Sequence, residues 1–248
     1  MQFEQTLIEG VLIRRYKRFL ADVELPGRQV ITAHTANTGA MIGCAEAGSR
    51  VWLSRSANPK RKYAHTWELV ETRAGTLVGI NTALPPRLVQ EGIESGSVVE
   101  LQGYRDIRRE VPYGNENSRI DLLLTHPDSR DCFVEVKNVT ALQSTSTNAT
   151  IAIFPDAPSV RAQKHLRELI TVAAGGARAV IFFVVQRADA VAVSPADDID
   201  PTYGALLRQA VATGVEAIAY QARVSPAGIV LQRRLPVRLD AGYTAAGA

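Results

Sequence analysis

The sequence predicts an α/β (α+β) chain in two parts: a small closed β-barrel over residues 1–83 and a mixed sheet with helices on both faces over residues 84–240. Three observations carry this division. Residues 1–83 hold short alternating or β-rich runs separated by turn signals, and no helical period persists there. Beyond Leu84-Pro85-Pro86, strand-like runs alternate with segments of helical spacing. Ala179–Val185 (AVIFFVV) is apolar on both faces, the pattern of a central strand covered from two sides.

In chain order, the barrel strands are expected near Phe3–Ile13, Phe19–Leu25, Gln29–His34, Val51–Ser54, Trp67–Glu71 and Thr76–Asn81. Pro26-Gly27, Asn37-Thr38-Gly39 and Asn58-Pro59 separate them. So many strands in so short a span suit an OB-like barrel, an architecture that often presents cations and rings to single-stranded nucleic acid. Two stretches supply such groups. The first is Arg14, Arg15, Tyr16, Lys17 and Arg18, with Arg14, Tyr16 and Arg18 expected on one strand face. The second is Lys60, Arg61, Lys62 and Tyr63. Solvated loop charges, with Tyr16, Phe19 and Trp67 filling the barrel, are the alternative.

Charge follows the same division. Residues 1–83 hold 11 Lys/Arg against 7 Asp/Glu, or +4; residues 84–248 hold 17 against 18, or −1, giving the net +3. A basic N-terminal part suits a polyanionic partner. No apolar run is long enough to cross a bilayer, and the first residues lack the layout of a secretory signal. Cys44 and Cys132 have no metal-ligand spacing and read as buried free thiols. A cytoplasmic protein with no membrane partner is therefore expected.

In the second part, the prolines open a helix over Arg87–Glu94, where a missing N–H goes unnoticed. Strands are expected at Val98–Gln102, Arg119–Thr125 and Cys132–Thr140, with His126-Pro127-Asp128-Ser129 as a hairpin turn. Ser144–Thr150 (STSTNAT) reads as a polar loop. A helix follows from Ser159 to Ala174, with Val160, Leu166, Leu169, Ile170 and Ala173 as its buried stripe and a Lys164–Glu168 pair outside. After Ala179–Val185, Tyr203–Val211 has the spacing of a helix on a sheet, Gly214 stops it, and Val215–Ala222 returns as a strand. Residues 241–248 form a small polar tail expected to fray.

The chemistry concentrates on two of these strands. Side chains alternate along a strand, so Glu135 and Lys137 share one face, about 7 Å apart. If Arg119–Thr125 pairs antiparallel to this strand in the right register, Asp121 and Glu135 face one cation. Two oxygen ligands with a largely retained water shell suit Mg²⁺ (or Mn²⁺). Lys137 would then position water or neutralise developing charge. Arg119 shares the Asp121 face and is a candidate phosphate contact. Glu91, on the early helix, is a candidate third metal carboxylate, and Gln163 and Lys164 are candidates on the later helix. An ordinary ion pair on a solvated strand face is the alternative for Glu-x-Lys.

The blocks RYKRFLADV, ANTGAMIGC, NPKRKYAHTWEL, NTALPPRLVQEGI, SRIDLLL, FVEVKNVT, FPDAPSVRAQKHLREL and AVIFFVVQ together resemble the sugar fermentation stimulation protein (SfsA) family. The resemblance spans nearly the whole chain. It implies an OB-like domain followed by a PD-(D/E)xK nuclease-like domain, with Asp121, Glu135 and Lys137 at the motif positions. Gln163 and Lys164 match the QKH block of that family. The implied function is a divalent-metal-dependent nuclease acting on DNA or RNA with largely sequence-independent binding. The alternative is a DNA-binding regulator of sugar-utilisation genes with a vestigial nuclease site. The expected partners are DNA, RNA or both, and a homodimer is left open.

Overall fold

The computed structural model of the protein describes residues 1–144 and 149–240. The centre of the STSTNAT segment and the 241–248 tail lie outside the described residues. Alternating runs in the N-terminal part form β1 (Ile8–Tyr16), β2 (Leu20–Glu24), β3 (Val30–His34), β4 (Arg50–Arg55), β5 (His65–Glu71) and β6 (Leu77–Gly79). The sheet runs β3-β2-β1-β4-β5-β6, and a parallel pairing of β3 with β5 closes five strands into a barrel. Inward residues such as Leu12, Val23, Leu53 and Val70 fill it around the fully buried Trp67. The Trp67 indole keeps its one donor satisfied on the Leu69 carbonyl at 2.8 Å.

The β1–β2 hairpin departs from expectation. Lys17 and Arg18 adopt positive φ (49° and 65°), so they form the turn, and Arg18 does not share a strand face with Arg14 and Tyr16. Two successive left-handed residues match the twist of a tight hairpin. Phe19 does not fill the barrel either; it is 43% exposed.

The second part opens with α1 (Pro85–Glu94), whose two prolines occupy the first turn. Then come β7 (Asp106–Tyr113), β8 (Ser118–His126), β9 (Ser129–Val139), β10 (Ala141–Ser144), β11 (Thr150–Phe154), α2 (Val160–Ala174), β12 (Arg178–Val185), β13 (Ala192–Pro195), α3 (Pro201–Ala212), β14 (Glu216–Ser225) and β15 (Gly228–Leu235). The main sheet has the order β15-β14-β12-β9-β8-β7, and β10, β11 and β13 make a smaller sheet. Strand β12 is parallel to both neighbours, while β8–β9 and β7–β8 are antiparallel. Helix α1 packs on one face with Leu122, Val134 and Phe182; α2 and α3 pack on the other with Leu123, Ile181 and Phe183.

Two local expectations fail for identifiable reasons. Val98–Gln102 is not a strand but carries a 3-10 turn at Val99–Leu101. Its buried residues, Val98 and Leu101, are spaced by three, and Val99 is 67% exposed. In α2 the buried stripe is Ala162, His165, Leu166 and Leu169, while Val160 is 76% exposed. Glu168 does not pair with Lys164. It is buried and accepts the backbone N–H groups of Asn115 (3.1 Å) and Glu116 (2.5 Å). This fastens the β7–β8 hairpin to α2, and Gly114 (φ +69°) leaves no room for a side chain against Glu168.

The barrel sits directly on the sheet domain. Gly79 N–H donates to the Gln186 carbonyl at 2.9 Å. Met41 N–H donates to Asp156 Oδ2 at 2.8 Å. A Cβ at Gly39 would fall 2.4 Å from Asp156 Oδ1, so only glycine admits this approach.

Candidate nuclease site

The β8–β9 hairpin pairs His126 with Ser129, and a bulge between Leu124 and His126 then shifts the register by one residue. Leu122 lies opposite Val134 and Leu123 opposite Phe133, so one further step brings Asp121 to Glu135 on the face covered by α2. Regular backbone pairing stops there. The Asp121 side chain takes over, accepting the Val136 N–H on Oδ2 at 2.7 Å. On its other side β9 pairs with β12, which sets Ile181 beside Glu135 and Phe183 beside Lys137. The acidic pair therefore stands on an apolar sheet face, the setting in which charge is costly unless partnered.

Glu135 is 2% exposed and has two cationic or polar neighbours on one oxygen. Lys137 Nζ donates to Oε1 at 2.6 Å, and His165 Nδ1 contacts the same atom. Lys137 Nζ and His165 Nδ1 are 3.3 Å apart. The other oxygen, Oε2, is buried with no hydrogen-bond partner. Burial pushes the Glu135 carboxyl up, but Lys137 and His165 outweigh it and hold it below the usual carboxylate range. Asp121 goes the other way: burial and the adjacent Glu135 charge push it up to about 7, against the Val136 N–H. An orphaned carboxylate oxygen beside a second, raised carboxyl is a donor set short of one positive charge. It fits a hard divalent cation. Among the described residues no three His, Cys, Asp or Glu side chains gather as a larger ligand cluster. The chain thus offers two carboxylates, the sparse set that suits a well-hydrated Mg²⁺.

Two cavities flank this pair. One, of about 480 Å³, is lined by Arg119, Asp121, Arg161, Lys164 and His165. The other, of about 300 Å³, is lined by Arg18 and Thr38 of the barrel and by Lys137, Asp156 and Arg161. Arg161 borders both, and the cations of the two linings mark a path from Arg18 of the barrel by Lys137 and Arg161 to Lys164 and Arg119 beside Asp121.

The other sequence candidates divide clearly. Glu91 is not at the site. Helix α1 lies on the opposite face of the sheet, and Glu91 pairs with the Met1 amine (2.6 Å) and Arg87 (3.0 Å). Gln163 lines neither cavity; its amide donates to both oxygens of Asp200, which also caps α3 through Tyr203 N–H. Its position on α2 turns it toward α3 instead of the strands. Lys164 does line the cavity, with its Nζ on the Glu116 carbonyl at 2.8 Å. Arg119 lies beside Asp121, as expected, and reaches the Glu110 carbonyl at 3.1 Å.

On the barrel, Arg14 and Tyr16 share one outward face and both engage Asp22, at 2.8 and 3.0 Å. Arg15 is a correction: it turns inward, donating to the carbonyls of Arg18, Asn37 and Gly39, and so braces the 37–39 loop. Lys17 is exposed at the turn. Arg18 reaches the Thr38 carbonyl at 3.0 Å at the mouth of the shared path. Lys60, Arg61 and Lys62 are exposed on the β4–β5 loop, with Lys62 over the Tyr63 ring at 5.5 Å and Arg61 on Thr66 Oγ1 at 3.2 Å.

Sequence reasoning missed His165 and Arg161. The signal for His165 was present: it follows Ala162 by three and precedes Leu169 by four, on the inward stripe of α2. Arg161 carried no local signal, because its place at the site comes from a cavity it shares with Arg18 and Thr38 of the barrel.

Two family descriptions match the chain: an SfsA N-terminal OB domain over residues 13–80 and a sugar fermentation stimulation protein RE domain over residues 83–228. A sugar fermentation stimulation protein homolog from Thioalkalivibrio sulfidiphilus is 57% identical over 97% of this chain and 99% of its own length. A homolog from Pelobacter propionicus is 60% identical over 94% of this chain and 98% of its own. The solved structure of Pyrococcus furiosus SfsA in complex with Ca²⁺ superposes with a TM-score of 0.85, at 29% identity over 96% of this chain and 98% of that one. The chain therefore belongs to the sugar fermentation stimulation protein (SfsA) family.

Proposed function

We propose that the protein is a divalent-metal-dependent nuclease that hydrolyses phosphodiester bonds of DNA or RNA, gripping the strand largely without regard to sequence. The observation that carries this reading is the placement of Asp121 opposite Glu135, which has one oxygen without a partner and Lys137 on the other, beside cavities lined with cations. The complex of the P. furiosus relative with Ca²⁺ supports a cation site in this fold, since Ca²⁺ and Mg²⁺ are both hard cations served by oxygen ligands.

Asp121 and Glu135 would hold Mg²⁺ or Mn²⁺, which supplies Lewis-acid stabilisation of the scissile phosphate and a more acidic water. The side chains around them do the rest. His165 and Lys137 both lie on Glu135 Oε1, which fixes that carboxylate and leaves Oε2 to face the cation. Lys137 also lines the path, where its ammonium meets the charge that develops on the phosphate in the transition state. Arg161, Arg119 and Lys164 border the phosphates on either side and neutralise the backbone. This is grip by charge, and it weakens with salt.

The test is degradation of labelled DNA and RNA with Mg²⁺, in EDTA and with Asp121→Ala. Cutting that disappears in EDTA and in the variant supports the reading; full activity of Asp121→Ala overturns it.

A further inference from the structure

We propose that Phe19 and His34, on the outer wall of the barrel, form a base-stacking platform that makes unpaired nucleic acid the preferred ligand of this protein. The substrate half of this inference rests on the nuclease reading; the binding half does not.

Phe19 is the only aromatic residue among the strongly exposed large hydrophobics of the described residues. The other phenylalanines are buried or half-buried. At 43% exposure much of the Phe19 side chain is not taken up by packing. The Phe19 and His34 rings lie 6.5 Å apart, tilted by 43°, so they stand side by side as two separate ring faces. The backbone fixes them together: Thr35 N–H donates to the Phe19 carbonyl at 2.9 Å, and Leu20 pairs with His34 across β2 and β3. Burial and the nearby Arg61 charge push the His34 imidazole down, which favours its neutral, stackable form.

Cations stand on both sides of the rings. Arg18 precedes Phe19 and lines the path toward Lys137. On the other side His34 is bridged to Thr66, whose hydroxyl accepts from Arg61. Cation, ring, ring, cation is the order that a single strand requires, with phosphates on the guanidiniums and base faces on the rings. A duplex presents no free base face to such a surface.

The test is fluorescence anisotropy in EDTA, with labelled oligodeoxyadenylate and oligoriboadenylate, an abasic oligomer of equal length, and a duplex. Phe19→Ala is expected to weaken binding of the preferred adenylate roughly five- to a hundredfold. Binding of the abasic oligomer and the duplex should hold, and Phe19→Trp should restore the adenylate. Equal binding of adenylate by wild type and Phe19→Ala overturns the platform, as does an equal loss for the abasic oligomer. Because binding is read without metal, the two readings separate: a wild-type protein that discriminates bases but never cuts sinks the nuclease and leaves the platform standing.

Discussion

The molecule handles charge in two contrasting ways. On the barrel, Asp22 collects Arg14, Tyr16 and Thr32 at the outer wall, with the Asp22 side chain 13% exposed and the Arg14 side chain 69% exposed. On the sheet, Glu135 collects Lys137 and His165 where Glu135 and His165 are nearly sealed and Lys137 is 11% exposed. The contacts look alike on paper, a carboxylate with a cation and a ring-bearing partner. Their consequences differ, because water screens the first and not the second. The barrel network can be rearranged by a ligand at little cost. The sheet network holds its members in place and leaves one Glu135 oxygen without a hydrogen-bond partner among the described residues.

The largest expected effect lies at the buried pair. Asp121→Asn and Glu135→Gln should each lower Mg²⁺-dependent cleavage by about a hundredfold or more, in line with removal of a group that stabilises transition-state charge. Nucleic-acid binding in EDTA should be retained in both, as anisotropy would record. Next in size is stability. Glu135→Ala leaves Lys137 and His165 facing an apolar sheet without their counter-charge, and urea unfolding should show a loss of about 3–5 kcal/mol. Arg14→Ala, which only uncovers Asp22 at the surface, should cost under about 1 kcal/mol. Comparable losses in the two would erase the contrast drawn here.

A sharper division is expected within one hairpin. Arg15→Ala removes donors from three loop carbonyls and should cost about 1–3 kcal/mol of stability. Arg18→Ala should instead weaken nucleic-acid binding and reduce the salt slope of log K by roughly 1, with little change in unfolding. The smallest effect is expected at Lys60 and Lys62 on the exposed loop: each alanine variant should shift the same slope by about 1 or less and leave stability unchanged.

Much of the architecture was legible in the residues. Alternating and β-rich runs bounded by turns gave the barrel strands, although β1 starts five residues later than expected and β5 is buried on both faces. The short turn at His126–Ser129 made the Asp121 and Glu135 strands antiparallel neighbours by sequence alone. The one-residue bulge between Leu124 and His126, which brings the two carboxylates opposite each other, left no mark in the sequence. What escaped was whatever depends on distant elements. Strands β10, β11 and β13 are short and take meaning only from one another. Gln163 looked like a site residue by position in the chain, but Asp200, far along the sequence, claims it. Glu91 had the right chemistry on the wrong face of the sheet. By sequence alone Phe19, at the end of RRYKRF, divides evenly between a binding face and the barrel core, and its 43% exposure decides against the core.

The latch between Asp156 and the 37–41 loop has a metric consequence. Its carboxylate receives Met41 N–H and fills the space that a side chain at Gly39 would need. The barrel is thereby pinned at a set offset from the carboxylates, as two marks are fixed on a ruler. On the proposed nuclease reading, a strand that touches both marks would have its cut end measured by the protein, so fragments trimmed this way should share a minimum length.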